Sequence, residues 1–139
     1  MRDVQNRIIH LTNDAVQKHG NQNEIKRYEI GLKLSFSDLD KYIDSLPGNE
    51  ENAGIFKRHI VPQMVSIATD CVRATYWKID QNRKEFGFEL MGMDFMIDEN
   101  YKVWILEINS NPDLRAQCPV LFKVIPPLID NVFRICVDP

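Results

Sequence analysis

The sequence predicts an α+β fold, an antiparallel β-hairpin packed against helices. Three observations predict it. Apolar side chains recur at helical spacing over residues 39–46 and again over about 55–78. Two β-prone runs, residues 86–97 and 102–109, flank the turn-forming stretch Asp98-Glu99-Asn100-Tyr101. The length of 139 residues suits one domain that buries its own core.

Taken in order, residues 8–12 are β-prone and end at Asn13-Asp14, which reads as a strand feeding a loop. Residues 13–34 are polar and without a period, and a loop of that length in a domain is functional or mobile. Ser35, three residues before Asp38, opens a helix in a capping-box pattern. Leu39, Tyr42, Ile43 and Leu46 form its apolar stripe, and Pro47-Gly48-Asn49 stops it. The second helix, about 55–78, has an apolar face broad enough to predict that it is largely buried. Pro62 removes a donor from its interior, so the helix starts near Val61 or kinks there. The hairpin of residues 86–109 follows, closed by Pro112, which pushes Asn111 into an extended or turn conformation. Residues 117–135 supply a last helix, in which Pro126-Pro127 predicts a break or a fresh start. No internal repeat or linker divides the chain, so a single domain over 1–139 is expected.

Composition narrows the class. Apolar residues are 44% and charged residues 27%, which excludes a disordered tail, a collagen-like chain and a coiled-coil rod. The net charge of −3, from 17 basic and 20 acidic residues, provides no field for nucleic acid. Cys71, Cys118 and Cys136 form no CxxC pair, which argues against a disulfide framework or zinc site and for a reducing compartment. His10, His19 and His59 make no HxxxH pattern. No apolar signal core follows Met1 and no run is long enough to span a membrane, so a cytoplasmic chain without membrane partners is expected.

The chemistry concentrates on the hairpin. Asp94 interrupts one apolar strand, and Glu107 and Asn109 interrupt the other, two residues apart and on one face. A two-residue loop at Asn100-Tyr101 pairs Lys102 with Glu99 and sets Glu107 opposite Asp94, with Cβ atoms about 5 Å apart. That register surrounds the two carboxylates with Phe88, Leu90, Met96, Val103 and Ile105, which makes a solvated face improbable. Two carboxylates in such surroundings call for a cation between them. Two carboxylates and an amide oxygen suit Mg²⁺, and the lack of His and Cys argues against zinc. Gly92 would face Asn109 and leave open space beside the metal for phosphates. A register slip of one residue would separate Asp94 from Glu107. Trp104, on the alternate face, reads as core.

The run from Phe88 to Pro112, with a buried Asp, an acidic turn, and a Trp-bearing strand ending Glu107-Ile108-Asn109, resembles the tubulin–tyrosine ligase family. His10-Leu11-Thr12-Asn13 matches a second signature of that family at compatible spacing, and the resemblance covers nearly the whole chain. It implies the C-terminal part of an ATP-grasp catalytic domain that joins amino acids to tubulin through an acyl-phosphate, with no covalent nucleophile in the protein. ATP and Mg²⁺ are the implied cofactors, with Asp94, Glu107 and Asn109 as metal–ATP ligands. The implied partners are the tubulin C-terminal tail and a free amino acid, at microtubules or cilia in the cytoplasm. Thr12 and Asn13 match positions that line the nucleotide and amino-acid site, and Lys26 and Arg27 align with a segment that binds the incoming amino acid.

Relatives that add glutamate or glycine carry a Tyr-Ser pair where this chain has Asp14 and Ala15, so tyrosine is the favoured amino acid. A polyglutamylase or glycylase is the alternative within the class, and a non-catalytic tubulin- or nucleotide-binding fragment is the alternative outside it. The family's adenine-binding strands and phosphate-contacting lysines precede the His10-Leu11-Thr12-Asn13 block. The 139 residues are therefore expected to hold one wall of the ATP clamp and to be inactive alone.

Overall fold

The fold is α+β. The computed structural model describes residues 33–49, 53–82 and 87–137. The expected strand over 8–12 and the candidates Thr12, Asn13, Lys26 and Arg27 lie outside the described residues. Two compact units divide the chain, one of Phe36–Leu114 with Pro139 and one of Met1–Ser35 with Arg115–Asp138.

In the first unit, helix α1 runs Phe36–Asp44, as the apolar spacing after Ser35 predicts. A π turn, Phe56–Ile60, leads directly into helix α2, Val61–Ile79. Pro62 falls in the first turn of α2, directly after the π turn, so α2 proper starts at Val61, the first of the two outcomes expected for it. The Val61 N–H closes the π turn by donating to the Phe56 carbonyl. Strands β1, Gly92–Ile97, and β2, Val103–Asn109, form a two-stranded antiparallel sheet. β1 is shorter than expected: residues 87–91 are irregular.

The core of this unit is Ile43, Phe56, Ile60 and Val103, with Leu39, Met64, Ile67, Phe95 and Ile97 against it. Phe56 and Ile60 are fully buried, and each contributes on the order of 1.5–3 kcal/mol by leaving water. Helix α2 departs from expectation: it has no buried residue, and Val65, Trp77 and Ile79 are more than half exposed. Among the described residues, Val61, Met64 and Ile67 in its first turns pack against the core.

Polar clamps tie the helices to the hairpin. Gln63 donates to the Tyr101 carbonyl at 2.9 Å and accepts the Val103 N–H at 3.1 Å. It thus stands in for a neighbouring strand at the start of β2. Buried Asn49 donates to the Ile43 carbonyl at 2.6 Å and to the Tyr101 hydroxyl at 2.5 Å. One side chain therefore satisfies the end of α1 and holds the hairpin loop.

In the second unit, helix α3 spans Pro119–Cys136 and runs through Pro126 and Pro127 without the expected break. Ile125 within the helix and Cys118 at its N-cap are buried. Among the described residues, no helix is long and apolar enough to cross a membrane.

Candidate functional site

The hairpin sets the geometry of the candidate site. Asp98 closes the turn: its N–H donates to the Lys102 carbonyl, and its carbonyl accepts the Tyr101 N–H. The loop is therefore Glu99, Asn100 and Tyr101, three residues rather than the expected two, with Tyr101 in the left-handed region at φ 59°. The Asp98 carboxylate fixes it by accepting the N–H groups of Asn100 and Lys102 and the Trp104 indole Nε1–H. These bonds, that of Trp104 foremost, hold the Asp98 carboxyl below its usual range.

Beyond the loop, Ile97 pairs with Val103, Met96 with Trp104 and Phe95 with Ile105. A bulge between Asp94 and Phe95 then leaves Leu106 without a partner, and Asp94 pairs with Glu107. Met93 faces Ile108 and Gly92 faces Asn109. The structure thus brings Asp94, Glu107 and Asn109 to one face, and the Asn109 amide donates to Glu107 Oε1 at 3.0 Å.

The bulge changes what surrounds them. Val103 is buried in the core, with Phe95 and Ile97 packed against it. The acid face instead carries Met96 and Trp104 beside Asp94, and all three acid-site residues are exposed. The expectation of a dry apolar face is corrected, because the extra residue in β2 moves Glu107 away from the Val103 and Ile105 side. Trp104 is likewise not core: it is half exposed, with Lys102 Nζ 3.9 Å above its ring. Nor does Gly92 open a space beside the site. A Cβ there would lie 3.2 Å from Pro112 Cβ, so Pro112 fills that space.

The donor set still fits a hard divalent cation. Two opposed carboxylates supply charge and oxygen, and the Asn109 amide, donating through Nδ2, leaves its Oδ1 free to accept. Exposure removes burial as an argument for a compensating cation, and leaves the opposition of two like charges. The bonds of Gln63 and Asn49 to the hairpin have no local signal in the sequence, because they join residues 38 to 52 positions apart, whereas the Asp98 bonds to Asn100 and Lys102 are local turn bonds.

This geometry belongs to a protein of the tubulin–tyrosine ligase family, whose family model matches residues 1–139. Over 136 residues, and 93% of this chain, it is 46% identical to rat protein polyglycylase TTLL10, of which it covers 19%. It is 31% identical over 94% of its length to Drosophila melanogaster tubulin glycylase 3A, covering 13% of that protein. It is 46% identical over 67 residues, 48% of this chain and 10% of the relative, to human inactive polyglycylase TTLL10. The chain thus spans a fifth or less of the length of these relatives. None of the three is named a tyrosine ligase, so the preference for tyrosine taken from Asp14 and Ala15 finds no support among them.

Proposed function

We propose that this chain carries the metal-holding hairpin of an ATP-dependent ligase that adds glycine to tubulin. The single observation that carries the reading is the direct opposition of Asp94 and Glu107, with Asn109 bonded to Glu107. In this reading residues 1–139 contribute part of an ATP-grasp catalytic domain. Asp94, Glu107 and Asn109 would hold Mg²⁺, which when bound draws charge off nucleotide phosphates. The Asn109–Glu107 bond keeps the carboxylate turned toward the shared face. Trp104 and Pro112 bracket that face at its two ends.

An acceptor carboxylate on the tubulin tail would be activated as an acyl-phosphate using ATP, and the amine of free glycine would displace the phosphate. Thr12, Asn13, Lys26 and Arg27 take the roles of nucleotide and amino-acid contacts. Glycine is preferred to tyrosine because the relatives that cover most of this chain are named glycylases. The setting is the cytoplasm, at microtubules or cilia. The similarity to a human relative named inactive favours a second reading, a tubulin- or nucleotide-binding protein without ligase activity.

The test presents full-length protein, Mg²⁺ and ATP with tubulin and labelled glycine, tyrosine or glutamate in parallel. Glycine incorporation, abolished in Glu107→Gln, is the expected result. Tyrosine incorporation would return the preference to the tyrosine branch. Binding of Mg·ATP and tubulin without incorporation of any amino acid would establish the second reading.

A further inference from the structure

We propose that Pro112, seated in the notch left by Gly92, is a positioning residue that sets where Asn109 stands relative to Asp94 and Glu107. The inference rests on the metal reading above. Gly92 is the direct partner of Asn109, so a side chain on it would rise from the face that bears the two carboxylates. That place is taken: a Cβ on residue 92 would lie 3.2 Å from Pro112 Cβ and 3.9 Å from Pro112 Cα. Backbone conformation does not call for glycine here, since the described glycines with positive φ are Gly48 and Gly54. Close approach does.

The lever is short. Only Ser110 and Asn111 separate Asn109 from Pro112, and the chain bends at both. The prolyl ring fixes its own φ and restricts Asn111, which makes this bend stiff. A methyl group at position 92 would push Pro112 by a few tenths of an ångström, and the bend would pass that shift to Asn109. Asn109 in turn orients Glu107 through its 3.0 Å bond. Pro112 would thus stand outside the ligand set, and outer-shell groups that orient metal ligands without touching the metal are worth about 10–100-fold in affinity.

The experiment titrates full-length protein with ATP by calorimetry, once with Mg²⁺ and once with the metal chelated, for the parent, Gly92→Ala, Pro112→Ala and Glu107→Gln, with a thermal melt of each. The expected result is a loss of about 10-fold or more in Mg·ATP affinity in Gly92→Ala and in Pro112→Ala. Metal-free ATP affinity should be unchanged in both. Pro112→Ala removes the ring without adding bulk, so it decides the matter if Gly92→Ala does not fold. Equal losses with and without Mg²⁺, or parental Mg·ATP affinity in Pro112→Ala while Glu107→Gln loses it, would overturn the positioning role alone. Parental Mg·ATP affinity in Glu107→Gln would overturn the metal reading, and this inference with it.

Discussion

Asp94 stands directly opposite Glu107, although the loop joining their strands is one residue longer than regular pairing between them allows. The unpartnered Leu106 in β2 restores the count. A three-residue loop shifts the ladder by one, and the bulge shifts it back. The acid pair is therefore a product of two irregularities that compensate, and the elements that hold the loop become testable supports of the site.

Gln63 is the first of these. It accepts the N–H of buried Val103 and donates to the Tyr101 carbonyl. Gln63→Leu leaves a buried donor without a partner and should destabilise the protein by about 1–3 kcal/mol. Denaturant unfolding checks the size, and faster hydrogen exchange at the Val103 amide checks the place.

Asn49 is the second. Its amide joins the Ile43 carbonyl to the Tyr101 hydroxyl. Asn49→Ala should cost about 1–3 kcal/mol, and more than Tyr101→Phe, which leaves the bond to Ile43 intact. A double-mutant cycle of the two should show a coupling of at least about 0.5 kcal/mol.

Asp98 gives the hairpin a pH dependence. Its carboxylate accepts three N–H bonds, and its pKa is lowered from the ordinary 3.8, with the Trp104 bond as the main cause. A group whose folded pKa is depressed stabilises the fold above its unfolded value and loses that contribution as pH falls through the folded one. The gap in denaturant midpoint between the parent and Asp98→Asn should be full near neutrality and close below pH 3.8. A gap that widens on acidification would contradict this assignment.

Part of this arrangement was legible in the sequence. The helix after Ser35, the hairpin and the pairing of Asp94 with Glu107 and Gly92 with Asn109 all follow from periodicity and turn chemistry. The pairing follows for an incomplete reason, since a two-residue loop without a bulge yields the same partners. The loop was hidden because Tyr101 occupies a left-handed position that glycine or asparagine usually fills. The bulge was hidden because Leu106 differs in no visible way from its apolar neighbours. Both omissions fell on the same question, which side chains share the acid face. They replaced Val103 and Ile105 with Trp104 there, and made an exposed face look dry. The extent of burial along α2 was hidden for another reason: apolar spacing shows which face is apolar, and tertiary contact decides how far it is covered.

In the proposed function, Asp94, Glu107 and Asn109 would hold a divalent cation on a nucleotide. All three are exposed, so removing one charge should leave stability within about 0.5 kcal/mol of the parent. The most direct measurement is the Mg·ATP affinity of full-length Glu107→Gln by calorimetry, beside a thermal melt. A large loss of Mg·ATP affinity at an unchanged melting temperature is the predicted result. Parental affinity in the folded variant would contradict the claim.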